Sequence, residues 1–162
     1  MKTQSKAVQL LGPASQGYLL DTNVISAIAP GRESYLTQEV ADWFHTHDEQ
    51  LFLPSIAVAE LAQGIAKLSR SGGIDRARRL DFWLDGLIEE FGERIISLDS
   101  GVSRLAGKMS DAAIAIGRHP GVADVAIAAT AQHYRLTLLT RNLKHFEPLG
   151  VVCADPFERL PP

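Results

Sequence analysis

Tyr18-Leu-Leu-Asp21-Thr-Asn23 sets a carboxylate at the end of a short apolar run that reads as a buried strand. A carboxylate is costly to bury unless it is paired or binds a cation. Two further stretches repeat the arrangement. Ser55-Ile-Ala-Val-Ala-Glu60-Leu-Ala and Gly121-Val-Ala-Asp124-Val-Ala-Ile-Ala-Ala each place one acid inside a pattern of apolar and small residues. A cap or an ion pair accounts for any one of them. Three together predict a shared site for a divalent cation.

Working outward from Asp21, Thr22 to Ile28 reads as a helix of a turn or two that ends at Pro30-Gly31. Glu33 to His47 reads as a helix, with Leu36, Val40 and Trp43-Phe44 at three-to-four spacing. Leu51-Phe-Leu53 is a second strand, and Pro54-Ser55 opens a helix reaching about Arg70, since Pro suits the first helical turn. After the break at Ser71-Gly-Gly73, an Arg-rich helix runs from about Asp75 to Phe91. Ile95 to Leu98 is a third strand, Asp99 or Ser100 caps a helix reaching Ile116, and Val122 to Tyr134 is helical by propensity. Leu136 to Leu139 and Val151 to Cys153 complete the strands. Short apolar strands alternating with helices predict an α/β fold with a mostly parallel sheet of four to five strands. Ligands of such sheets bind beyond the carboxyl ends of the strands, where Asp21 and Thr140-Arg-Asn142 fall.

Composition narrows the setting. A length of 162 residues, 46% hydrophobic and 22% charged, fits about one ordinary domain. Residues 1–16 read as a loose leader, 17–155 as the domain and 156–162 as a C-terminal tail. A net charge of −3 gives no overall electrostatic footprint of a nucleic-acid binder. One cysteine, Cys153, permits no intrachain disulfide and offers no thiolate cluster, which fits a reducing cytoplasm. The apolar run Ala7 to Leu11 is shorter than the roughly 7–15 residues of a signal-peptide core, and no segment approaches the ~20 apolar residues of a membrane span.

Each acid has a plain alternative. Asp21 can serve as a helix N-cap, although Thr22 and Asn23 are equally good cappers. Glu60 can be an exposed helix position; no Lys or Arg stands three or four residues away to pair with it. Asp124 lies in a first helical turn, where the macrodipole favours negative charge. Lys67, Arg70, Arg76, Arg78 and Arg79 form a basic run that is either a solvated face or a surface for phosphates; Arg141 and Lys144 are a second candidate.

At these residues the chain resembles PIN-domain proteins, and more narrowly the VapC/FitB-type toxins of bacterial toxin–antitoxin pairs. Leu19-Leu-Asp21-Thr-Asn-Val24-Ile-Ser26 is similar to the family's opening strand and first acid, and Ser55 to Gly64 to its second-acid helix. Asp124 to Ala131 is similar to the third-acid helix, and Leu138-Leu-Thr140-Arg-Asn142-Leu-Lys-His145-Phe146 to the last motif. The matches stand in the family's order over roughly residues 17–155. The resemblance implies a three-layer α/β/α fold and a metal-dependent endoribonuclease using Mg²⁺ or Mn²⁺. Asp21 and Asp124 would be the main metal ligands, Glu60 would bind the metal directly or through water, and Thr140, Asn142 and His145 would line the site. His145 stands where the family commonly has an acid, which puts a second metal position in doubt. The leader is also unusual for the family.

The resemblance further implies a small antitoxin protein that wraps a tail across the crevice and alone contacts promoter DNA. Exposed apolar surface around Trp43 and Trp83 is the expected seat for that tail. A homodimer or a larger hetero-oligomer with the antitoxin follows, with RNA as substrate and no membrane. One rival is a PIN-like RNA- or protein-binding module with an impaired metal site. Another is a haloacid-dehalogenase-type phosphohydrolase, which wants a second acid two residues after the first, where Asn23 stands.

Overall fold

The computed structural model describes residues 17–32 and 36–162. The expected leader over 1–16, and the first three residues of the helix expected from Glu33, lie outside the described residues. In chain order the elements are β1 (Tyr18–Leu20), α1 (Thr22–Ala27), α2 (Gln38–Thr46), β2 (Leu51–Pro54), α3 (Ser55–Arg70) and α4 (Ile74–Phe91). They continue with β3 (Ile95–Ile96), α5 (Ser100–Ala115), α6 (Val122–Tyr134), β4 (Thr137–Leu139), α7 (Leu143–Phe146) and β5 (Cys153–Ala154).

The five strands form one sheet in the order β3-β2-β1-β4-β5, and every pairing is parallel. Leu19 stands beside Phe52 on one side and Leu138 on the other. Since successive strand side chains face opposite ways, Leu19, Phe52, Ile96 and Leu138 pack toward α5 and α6, against Val102, Met109 and Ile127. Tyr18, Leu20, Leu51, Leu53 and Leu139 pack toward α1 to α4, against Val24, Ile25, Ala57, Leu61, Leu84 and Phe91. Each such side chain contributes roughly 1.5–3 kcal/mol when fully buried. The result is the expected three-layer α/β/α sandwich. Strand order reverses between β1 and β4, so the crevice beyond their carboxyl ends is the place where a sheet of this type binds ligands.

The structure departs from the sequence reading at several edges. The third strand stops at Ile96, because the Leu98 backbone N–H donates to Ser55 Oγ at 3.2 Å and the chain turns into the Asp99 cap of α5. α2 begins only at Gln38, capped by Thr37, whose Oγ1 accepts from the Val40 N–H at 3.3 Å. Trp43 is buried, 8% exposed, and so forms no external seat. Its ring stacks on His47 at 4.2 Å, and its indole N–H donates to the Pro161 carbonyl at 2.9 Å. The Tyr18 hydroxyl donates to the Pro162 backbone oxygen, and Phe157 and Leu160 pack on the same core. Residues 156–162 are thereby strapped to the domain.

Candidate active site

The β1 ladder continues one residue past the strand: the Asp21 N–H donates to the Leu139 carbonyl at 2.9 Å. Its side chain is 5% exposed. Oδ1 accepts from the Thr22 N–H at 2.7 Å, so Asp21 does cap α1. Oδ2 accepts from Thr140 Oγ1, also at 2.7 Å. Thr140 is fully buried one residue past β4, and its own N–H donates to Ala154 at 2.9 Å. Thr140 Oγ1 in turn accepts from the Asn142 N–H at 3.0 Å and from Asn23 Nδ2 at 3.3 Å. Asn23 Oδ1 accepts from the Arg141 N–H at 3.1 Å. The residues just after β1 and β4 are thus tied into one polar web.

Glu60, half-buried in the second turn of α3, joins this web through Thr22, whose Oγ1 donates to Glu60 Oε2 at 2.5 Å. Asp124 approaches from the first turn of α6, also half-buried. The three acids line one open cleft of about 380 Å³ together with Asn142, and Arg32 and Arg141 reach the same cleft. Thr140 lies beneath it. His145, expected to line the site, does not line this cleft: α7 carries it into a neighbouring cleft that shares Asp124, where its Nδ1 stands 3.6 Å from Asp124 Oδ2.

Burial pushes the Asp21 carboxyl up to about 6. The hydrogen bonds from Thr140 and Thr22 pull the other way, and the charges of Asp124 and Glu60 add a further upward push. Three acids in a crevice with two hydroxyls and an amide oxygen make a donor set of oxygen alone, which suits a hard cation. Among the described residues, no three His, Cys, Asp or Glu side chains converge into a metal cage as they stand. Mg²⁺ does not require one, because it keeps several waters and is held by one or two carboxylates. The residues therefore fit such an ion chemically.

The sequence offers Thr22 and Asn23 as cappers and as part of the opening motif, not as links to Glu60 and to the end of β4, and it does not single out Arg32. The Thr-Asn pair directly after Asp21 was the available signal. The basic run is displaced from the cleft: Arg70 lies ten residues beyond Glu60 on α3, about 15 Å along the helix axis. None of its residues lines the acidic cleft.

The comparisons with known proteins bear on this geometry. The plasmid stability protein StbB of Pseudomonas syringae pv. tomato is 33% identical over 141 residues, covering 86% of this chain and 98% of that protein. Toxin FitB of Neisseria gonorrhoeae is 30% identical, and VapC ribonuclease Y4jK of Sinorhizobium fredii 31%; each match covers 86% of this chain and 97% of the relative. The crystal structure of FitAcB from Neisseria gonorrhoeae superposes with a TM-score of 0.69 at 30% identity, over 86% of this chain and 98% of that one. The PIN domain model matches residues 18–148, a span that contains all three acids, Thr140 and His145. On the sequence match and the shared fold together, this chain belongs to the PIN-domain family.

Proposed function

We propose that this chain is a divalent-cation-dependent endoribonuclease and the toxin of a toxin–antitoxin pair. The observation that carries the reading is the buried Asp21 carboxylate, fixed by two hydrogen bonds and opening with Glu60 and Asp124 onto one cleft at the strand-order reversal. The named relatives, a toxin and a ribonuclease among them, support it. Asp21 and Asp124 would hold Mg²⁺ or Mn²⁺, with Glu60 binding directly or through water. When bound, such a cation supplies an activated water for in-line attack and stabilises charge on the leaving oxygen. Thr140 and Thr22 fix the carboxylates at their oxygen atoms, so little ordering remains to be done when substrate arrives. Arg32 and Arg141 bring positive charge to the rim, where a phosphate must approach an acidic pocket. No side chain has to act as nucleophile.

The proposed partner is a small antitoxin. A groove of about 1150 Å³ runs between α2 and α4, lined in part by Phe44, Trp83, Leu87 and Phe91, and Phe82 nearby is 82% exposed. That apolar surface, rather than Trp43, is the proposed seat for the antitoxin's tail. An arginine from the tail would pair bidentately with the acids and close the cleft. Promoter DNA is reached only through the antitoxin, in a homodimer or larger hetero-oligomer. The proposed setting is the cytoplasm, which fits a single free cysteine and an RNA substrate; no helix among the described residues is long and apolar enough to cross a membrane.

The test is cleavage of a mixed RNA substrate by the purified chain. Activity is expected with Mn²⁺ or Mg²⁺, none with a chelator, and none from Asp21→Asn. Equal cleavage by wild type and Asp21→Asn would overturn the reading.

A further inference from the structure

Asp124 is a wall between two clefts. On its far side from Asp21 lies a smaller cleft of about 200 Å³. Arg118 and His119 enter it from the turn between α5 and α6, and Lys144 and His145 from α7. At about 30 Å³ per water, the space holds about seven waters. That is room enough for a phosphate group.

The charges are unevenly matched. Among the described residues, Asp124 is the one carboxylate lining this cleft, and His145 Nδ1 stands 3.6 Å from its Oδ2. Arg118 and Lys144 are exposed, and among the described residues neither makes an ion pair. Two permanent cations and two imidazoles from separate elements, with Pro120, Pro148 and Leu149 beside them, therefore line a space with a single acid among the described residues. Like charges held together repel, and an anion seated among them removes that repulsion. Across Asp124 the balance is reversed, with three carboxylates against two arginines lining the acidic cleft.

We infer that this second cleft seats a backbone phosphate of the RNA strand, next to the phosphate that enters the acidic cleft. The inference rests on the ribonuclease reading and deepens it. A strand laid across Asp124 meets a pocket for a cation on one side and a pocket for an anion on the other. His145 then belongs to the substrate strand rather than to the cation. An acid at that position would set a second carboxylate against the phosphate; an imidazole leaves ring nitrogens able to donate. The basic run at the turn between α3 and α4, far along α3 from Glu60, has no such neighbour.

The experiment measures binding of a fluorescent ten-nucleotide single-stranded RNA of mixed sequence by anisotropy, with chelator present to prevent cleavage, across a series of salt concentrations. Steady-state cleavage with Mn²⁺ is measured in parallel. For the double variant Arg118→Gln/Lys144→Gln, the slope of log affinity against log salt is expected to fall by about 0.7, the value for one phosphate contact on a single strand. KM should rise about tenfold with kcat nearly kept. His145→Asp should weaken RNA binding several-fold, and Lys67→Gln/Arg70→Gln should change neither quantity. Thermal melts check that these exposed substitutions leave the fold intact. A wild type that binds and cleaves RNA, with slope and KM unmoved in Arg118→Gln/Lys144→Gln, overturns the subsite and leaves the ribonuclease reading standing. A wild type that neither binds nor cleaves overturns both.

Discussion

The two sides of the acidic cleft are built in opposite ways. On the β1–β4 side, Asp21 is buried and both its oxygens are bonded, Thr140 beneath it is fully enclosed, and Glu60 is tied in through Thr22. On the α6 side, Asp124 is half-buried, with the exposed His145 imidazole 3.6 Å away. The first side is preorganised, and the desolvation of Asp21 is what it costs. The second is an open rim shared with a basic cleft. A fixed carboxylate opposite a more accessible one allows an ion and a strand to be taken up together.

Removing the buried charge should show the largest contrast. Asp21→Asn is expected to lower RNA cleavage by on the order of 100-fold or more, since even the outer-shell partners of metal ligands are worth 10–100-fold. The same substitution should raise the melting temperature of the cation-free protein by a few degrees, about 2–4 °C per kcal/mol for a chain of this size. Asp124→Asn should lower cleavage comparably without that gain. A cation-free Asp21→Asn protein that melts below wild type at pH 7.5 would break the comparison.

The pH dependence follows from the same carboxyl. Its folded pKa, about 6, lies above the ordinary value of 3.8, so the folded state binds the extra proton between them. Stability contributed by Asp21 is therefore present below about pH 4 and is lost as pH rises through 6. The loss is about 3 kcal/mol, at 1.36 kcal/mol per unit. Urea midpoints of wild type and Asp21→Asn, compared from pH 4 to pH 8, should converge at the acid end and separate above pH 6. A constant difference would show that Asp21 titrates normally.

Smaller effects separate the two hydroxyls. Thr140→Val leaves the Asn142 N–H and Asp21 Oδ2 without a buried partner, costing about 1–3 kcal/mol. It should also move the acid limb of the pH–rate profile upward. Thr22→Val releases only the half-buried Glu60 side chain and should cost less than about 1 kcal/mol, with a modest loss of rate. The smallest effect expected is on metal preference. Were His145 beside the cation, His145→Asp would narrow any preference for Mn²⁺ over Mg²⁺; its place on the basic cleft predicts an unchanged ratio.

Much of this was legible in the sequence, for local reasons. The strand at Tyr18 to Leu20, α3 from Ser55 to Arg70 and α6 from Val122 to Tyr134 are set by apolar runs, a helix-opening proline and alanine propensity. The acids stood out because each interrupts such a run. The short elements did not show: α7 and the single turns at Asp48–Gln50 and Glu147–Leu149 span only three or four residues, about one helical turn, so no hydrophobic repeat can appear in them. The basic cleft was hidden for another reason. Arg118 and Lys144 are far apart in the chain and line one cleft because α6 packs beside α7, whereas Lys67 to Arg79 is a visible cluster that the fold carries away from the site. The burial of Trp43 was likewise hidden, since its covering comes from Pro161 at the other end of the chain.

The most direct measurement is calorimetric titration of Mn²⁺ into the wild-type chain and into Asp21→Asn at pH 6, repeated in two buffers of different ionisation enthalpy. If Asp21 is a cation ligand with a pKa near 6, binding to wild type releases about half a proton, seen as a buffer-dependent heat. Asp21→Asn should then bind at least tenfold more weakly and release none. Equal affinity and equal proton release in the two proteins would contradict the account.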